Sequence, residues 1–225
     1  PLQEHDRDQG ALFAWNKLIE RAGDDPPEQV LPTLAEALRQ AVELDDREWD
    51  CAIHQPLLER HLEIERRLAT AANGELGELI DDVAYCAYEN DENQRALELQ
   101  IEAATMLEQV LGQAHVDVEL AYYRAAEIAL ALEECEIAET YARRGIEILD
   151  AHPDLEVEDR SLTRRQLAES LDCLGDEEAA LEILKTAARD ADKESASNRF
   201  DAWFELGAAL YVESRFEESS KALDN

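Results

Sequence analysis

Apolar residues recur at helical spacing along most of this chain, and the pattern comes in pairs of segments. The last pair is the clearest. In "FDAWFELGAALYVESRFEESSKALDN", Trp203, Leu206, Leu210 and Tyr211 mark one amphipathic helix, and a second starts at Phe216. Small residues sit inside the second segment of each pair: Ala96, Ala138, Ala180 and Ser219, at steps of 42, 42 and 39 residues. One more step back from Ala96 reaches His54. Seven positions on from each anchor the chain places Ala103, Gly145 and Ala187, with His61 as the misfit. The first segments keep the same beat, with Val83-Ala84, Ala125-Ala126, Leu167-Ala168 and Leu206-Gly207 about one helix length before the anchors. Each repeat is therefore expected to be an apolar helix, a short acidic turn and a second amphipathic helix.

Turns are predicted at 89–93, 133–136, 174–178 and 213–215. Longer polar links fall near 70–76 and at 112–118, 150–159 and 190–198, with Asp117, Asp159 and Ser197 as expected N-caps. A helix approaches its neighbour to about 8 Å only where the contact side chain is small. Gly207, which costs about 1 kcal/mol inside a helix, is expected to recover it by close packing. Near the N-terminus, Leu12, Phe13, Trp15, Leu18 and Ile19 form one further amphipathic helix, ended by Gly23 and "DDPPE". It is either a cap on the array, the reading favoured, or the second helix of an earlier repeat.

Composition narrows the function classes. Fifty-four acidic against 21 basic residues give a formal net charge of −33, a surface that repels polyanions, so no direct nucleic-acid partner and no anionic membrane is expected. Lysine is scarce, at positions 17, 185, 193 and 221 alone. This acid-rich, lysine-poor surface resembles cytoplasmic proteins of salt-accumulating archaea, where molar salt shortens the Debye length to about 3 Å. No apolar run reaches the length of about 18 residues that a membrane span needs. The opening "PLQEHDRDQG" lacks a basic and then apolar leader, and a cytoplasmic location is expected.

The four cysteines, at 51, 86, 135 and 173, contain no CxxC and are expected to be reduced and buried. Cys51 and Cys135 occupy the same repeat position two repeats apart, about 20 Å at about 10 Å per helix layer, beyond disulfide reach. Cys51, His54 and His61 share one helix and could suggest a metal, but no fourth ligand is visible, and the repeat explains Cys51 without one. His115 and His152 precede Asp117 and Asp154 in links and are read as capping and turn residues. No phosphate-cradling Gly loop, GxSxG or HExxH occurs, so no enzyme activity, catalytic residue, cofactor or metal is expected.

Trp203, Leu206, Gly207, Leu210, Phe216 and Ser219 match in order the tetratricopeptide repeat (TPR) pattern W-x2-L-G-x2-Y followed by an aromatic and a small residue. The long period resembles the kinesin-light-chain form, as do "QPLLERHLEIERRL" (55–68) and "LEQVLGQAHVDVELAYY" (107–123). The resemblance covers about residues 35–225 and is weakest in the first repeat, where Asp45 takes a normally apolar position. It implies an all-α, right-handed α-solenoid of antiparallel hairpins, with a capping region at 1–34 and repeats at 35–76, 77–118, 119–160, 161–199 and 200–225, the last truncated.

In that family the first helices line the concave groove. Carried over position by position, this assigns Glu36, Arg39 and Glu43; Asp81, Tyr85 and Tyr88; Tyr123, Glu127 and Leu130; Arg165, Glu169 and Asp172; and Phe204, Ala208 and Tyr211. Aromatics separated by carboxylates, with Arg39 and Arg165 as isolated cations, suit a protein or peptide with basic and apolar residues. The alternative is that some of these tyrosines pack between helices. The expected function is a protein-interaction scaffold; the competing one is a ligand- or peptide-sensing regulatory domain of a larger signalling ATPase, kinase or transcription factor. The pattern breaking off in its last repeat suggests a fragment, or self-association through an open face around Phe216 and Leu223.

Overall fold

The structure, a computed structural model, describes residues 13–23, 25–43, 50–153, 160–192 and 195–224. Among these there are eleven α-helices, one 3-10 turn (Glu28–Val30) and no strand. The helices are α1 (13–22), α2 (Leu31–Glu43), α3 (Cys51–Leu68), α4 (Gly74–Glu89), α5 (Asn93–Leu111), α6 (Val116–Ala131), α7 (Cys135–Ala151), α8 (Arg160–Cys173), α9 (Glu177–Ala191), α10 (Ala196–Val212) and α11 (Phe216–Leu223). Contacts divide the chain into two compact bodies, residues 1–110 and 111–225.

The turns inside the hairpins are alike at atomic level. Asp91, Glu133, Gly175 and Ser214 each take a left-handed conformation, with φ of 63°, 59°, 80° and 59°. The amide of each bonds three residues back, and the next amide reaches five residues back, as in Glu92 N to Ala87 O at 2.8 Å and Arg215 N to Leu210 O at 2.9 Å. This is the Schellman ending, which satisfies carbonyls that the last helical turn leaves open. Its positions step by 42, 42 and 39 residues, the same beat as the small anchors. All four predicted turns fall there.

Helix starts follow local side-chain chemistry. Asp50, Asn73, Asp176 and Ser195 accept from backbone amides two or three residues on, at 2.7 to 3.2 Å. Two expected caps need correction. Asp117 lies inside the first turn of α6, whose cap is His115, with Nδ1 accepting from the Asp117 amide at 3.3 Å. Ser195, not Ser197, caps α10, because Ser195 still has extended backbone and can turn its hydroxyl onto Asn198 N. Asp45 and Asp159 lie outside the described residues. His152 is the C-cap of α7, and its carbonyl accepts from Arg160 at 3.0 Å, together with those of Leu149 and Pro153.

In the N-terminal body α3 is apolar on two sides. One side closes over Ile19, Leu34, Leu38 and Ala41 from α1 and α2, the other over Ile80, Val83, Leu99 and Ala103 from α4 and α5. His54 and His61 fill the places where the repeat has small residues, and both are buried. In the C-terminal body one core runs from α6 to α11 through Ala126, Ala142, Leu167, Leu184, Leu206 and Ala222. The α8 face of that body is unusually polar inside, with Ser161, Thr163, Gln166 and Ser170 all buried. Thr163 Oγ1 donates to buried Glu119 Oε1 at 2.7 Å. Burial raises the Glu119 pKa, against the opposing pull of that hydroxyl and of Arg160. At the close approaches, a Cβ on Gly145 would meet Thr163 Cγ2 at 2.9 Å, and one on Gly207 would meet Leu223 at 2.7 Å.

The cysteines overturn the expectation of free thiols. Cys51 is bridged to Cys86 and Cys135 to Cys173, with Cα separations of 4.9 and 5.9 Å, inside the ordinary disulfide range. Each bridge joins the first residue of a second helix to the last turn of the following first helix. Cys173, the final residue of α8, is exposed rather than buried. The bridge also takes Cys51 out of the candidate metal set. Among the described residues no His, Cys, Asp and Glu group could hold a metal ion, and no helix is long and apolar enough to cross a membrane.

Candidate functional site

Three helical stripes meet in the N-terminal body around a cleft of about 490 Å³. Pro32, Ala35, Glu36, Arg39, Val42 and Glu43 come from α2; Leu58, His61, Glu65 and Leu68 from α3; Glu75, Glu78, Leu79 and Asp82 from α4. Spacings of three, four and seven residues put each set on one helix face. The α3 stripe and Leu79 supply an apolar base, and carboxylates from all three helices supply the rim. Six carboxylates stand against one guanidinium.

That guanidinium is not isolated. Arg39 spans its own helix, with Nη2 2.7 Å from Glu36 Oε2 and Nη1 2.5 Å from Glu43 Oε1. The Glu36 bond, then the Glu43 bond, hold its pKa above the usual value. Burial lowers the pKa of His61, against the opposing influence of Glu65 at 3.5 Å, so the cleft carries a neutral imidazole. No nucleophile, base and oxyanion donor converge here, and the chemistry on offer is charge and apolar contact.

The assigned α4 residues do not line this cleft. Asp81 is turned away and accepts from buried Gln100 Nε2 at 2.5 Å, Tyr85 packs on the α3–α4–α5 core with Met106, and Tyr88 is half-buried. Glu75, Glu78 and Asp82 stand in their place. A strict 42-residue step from Glu36 reaches Glu78, so the signal was in the repeat, and the assigned set had slid by one helical turn.

In the C-terminal body the first helices are α6, α8 and α10. Tyr123, Glu127 and Leu130 of α6 are half-buried, and the ring buried beside them is Tyr122, stacked on Tyr141 with centroids 5.9 Å apart. Arg165 is also not isolated: it grips Glu205 of α10 in a fork, Nε to Oε2 at 2.7 Å and Nη2 to Oε1 at 2.5 Å. Glu169 and Asp172 are exposed. On α10, Phe200, Phe204 and Tyr211 form an open aromatic stripe, 67%, 53% and 64% exposed, with Ala208 exposed between them. The two phenylalanines stack at 5.9 Å, and Tyr211 meets Phe216 edge-on at 5.4 Å. Phe200 was missing from the assigned set, although its spacing of four from Phe204 puts it on the same face. Trp203 is held sideways by Nε1 donating to Asp192 at 2.9 Å.

No family model matches the chain, and comparison with the curated proteins finds no match. Solved structures do match. BtubC (BKLC) from P. vanneervenii is 15% identical, with 99% of this chain and 87% of that one covered at a TM-score of 0.71. A kinesin-light-chain protein from Podosopora anserina, with nearly identical TPR-like repeats, is 18% identical over 88% of this chain and 92% of that one, at 0.67. Rap protein complexed with Competence and Sporulation Factor is 16% identical over 97% and 64%, at 0.51. At such identities the likeness is one of fold: the chain is an all-α array of helix hairpins of the TPR-like kind.

Proposed function

We propose that this chain is a non-catalytic interaction scaffold that holds a protein or peptide segment against the faces of its first helices, and that the α2–α3–α4 cleft is the leading contact. The carrying observation is the cleft itself, an apolar base of Leu58, Leu68 and Leu79 inside a rim of six carboxylates. An aliphatic or aromatic side chain would fill the base while neighbouring lysines or arginines meet the rim. Exposed ion pairs contribute about 0.2–1 kcal/mol each, so the buried apolar anchor would carry most of the affinity and the carboxylates would set partner choice and speed of encounter.

The proposed repeats, 35–76, 77–118, 119–160, 161–199 and 200–225, repeat this helix geometry, so Tyr123, Glu127, Arg165, Glu169, Phe204 and Tyr211 are a second contact surface of the same function. Arg39 and Arg165, already neutralised by Glu36, Glu43 and Glu205, organise carboxylates rather than attract anions.

Labelled peptides that alternate Lys or Arg with Leu or Phe, titrated by fluorescence anisotropy, test this. The substitution E75Q/E78Q/D82N is expected to weaken binding at least tenfold in 100 mM salt with little change in far-UV circular dichroism. Unchanged binding, or equal affinity for an acidic peptide of the same apolar pattern, would sink the reading.

A further inference from the structure

The two disulfides are a matched pair. Cys51 and Cys135 are the first residues of α3 and α7, 84 residues or two periods apart, and each is bonded within its own body to the following first helix. A thiolate leaving from either would sit at a helix N-terminus, where unpaired amides and the helix dipole favour negative charge. The leaving groups are therefore alike, and access is what differs. Cys86 lies one turn inside the end of α4 and is fully buried, with Cys51 only 7% exposed. Cys173 is the last residue of α8, next to the Gly175 turn, and is open to solvent.

We propose that Cys135–Cys173 is a thiol–disulfide exchange site for a dithiol, either a small molecule or a dithiol protein, whereas Cys51–Cys86 is a structural bridge closed to it. A thiolate of the dithiol attacks Cys173 Sγ, the Sγ–Sγ bond breaks, and Cys135 departs as a thiolate that takes up a proton. The second thiolate of the dithiol then attacks its own sulfur in the mixed disulfide and releases Cys173, which is protonated in turn. Two electrons pass to the protein, and the dithiol leaves as a disulfide. The chain thereby loses the covalent tie between α7 and α8 while the N-terminal body keeps its own. Glu133, Glu134 and Glu136 on one side and Asp172 and Asp176 on the other surround the site with negative charge, so an anionic thiol is repelled at low salt. This inference does not depend on the cleft binding a peptide.

The test uses the whole chain purified without reductant. It is exposed to dithiothreitol at pH 8, quenched in denaturant with N-ethylmaleimide, and digested for mass spectrometry. No cysteine is expected to be labelled before reductant is added. Cys135 and Cys173 then appear together, about tenfold or more faster than Cys51 and Cys86, at a rate linear in dithiothreitol, whereas the buried pair saturates at the rate of local opening. Four labelled cysteines at time zero would refute the bridges. Equal rates for both pairs, or Cys51 and Cys86 first, would refute the assignment of the exchange site.

Discussion

Three helix-interior glycines sit at close approaches, and replacing each by alanine separates rigid contacts from yielding ones. Alanine favours a helix by about 1 kcal/mol over glycine, so the sign depends on what the new methyl meets. In G145A it lies 2.9 Å from Thr163 Cγ2 and 3.7 Å from Glu119 Oε1, well inside the carbon contact distance of about 3.5–4.0 Å. Thr163 is buried, and its hydroxyl is committed to Glu119 at 2.7 Å. Turning it away leaves a buried carboxylate short of a donor, which costs about 1–3 kcal/mol; parting α7 from α8 costs a similar amount. The expected net loss is about 1–2 kcal/mol. G77A should behave likewise, because its methyl meets Leu107 Cδ2 at 2.8 Å and Cγ at 3.0 Å, and Leu107 is 1% exposed. G207A differs. Its methyl meets Leu223 at 2.7 Å, but Leu223 is 53% exposed at the end of the eight-residue α11 and can swing into solvent. That variant should fall within about 0.5 kcal/mol of the parent. Urea titration followed by far-UV circular dichroism measures all three. If G207A loses as much as G145A, or G145A gains stability, the contact reasoning is wrong.

Two further outcomes concern charge. Burial raises the folded pKa of Glu119 above its unfolded value of about 4.3, so the native chain retains this proton longer than the unfolded chain. The penalty is absent below the unfolded value and grows as pH rises through the folded one. E119Q, which keeps an acceptor for Thr163, should be more stable than the parent at neutral pH, and urea midpoints of the two should converge at about pH 4; a gap that widens toward acid would refute this. The net charge of −33 should also make stability salt-dependent. The melting temperature is expected to climb from dilute buffer to molar KCl, and a flat profile would remove the case for a salt-adapted surface.

Much of the fold was legible because the repeat fixes it twice, in small side chains at Ala96, Ala138, Ala180 and Ser219 and in the turns that follow each first helix. The cysteine pairing was not, because the repeat frame compared Cys51 with its equivalent Cys135 instead of with the residue facing it on the next hairpin. The α2 side of the cleft was readable as a helix face. Its α4 side needed the exact rotation of that helix, which a slide of one turn loses. Glu36, Arg39 and Glu43 carried an ion-pair signal at local spacing, whereas the Arg165 to Glu205 fork joins two helices and only packing reveals it.

The left-handed turn at Asp91, Glu133, Gly175 and Ser214 reaches beyond stability. Only one of the four is glycine, so the geometry is imposed by the hairpin and tolerated by whatever residue arrives there. Each joint presents the same incoming and outgoing backbone. A gene encoding such joints can duplicate or delete a whole repeat between any two of them and hand the ribosome a chain whose hinges already fit. The backbone thus keeps a record of how the array grew that its diverged side chains have largely lost.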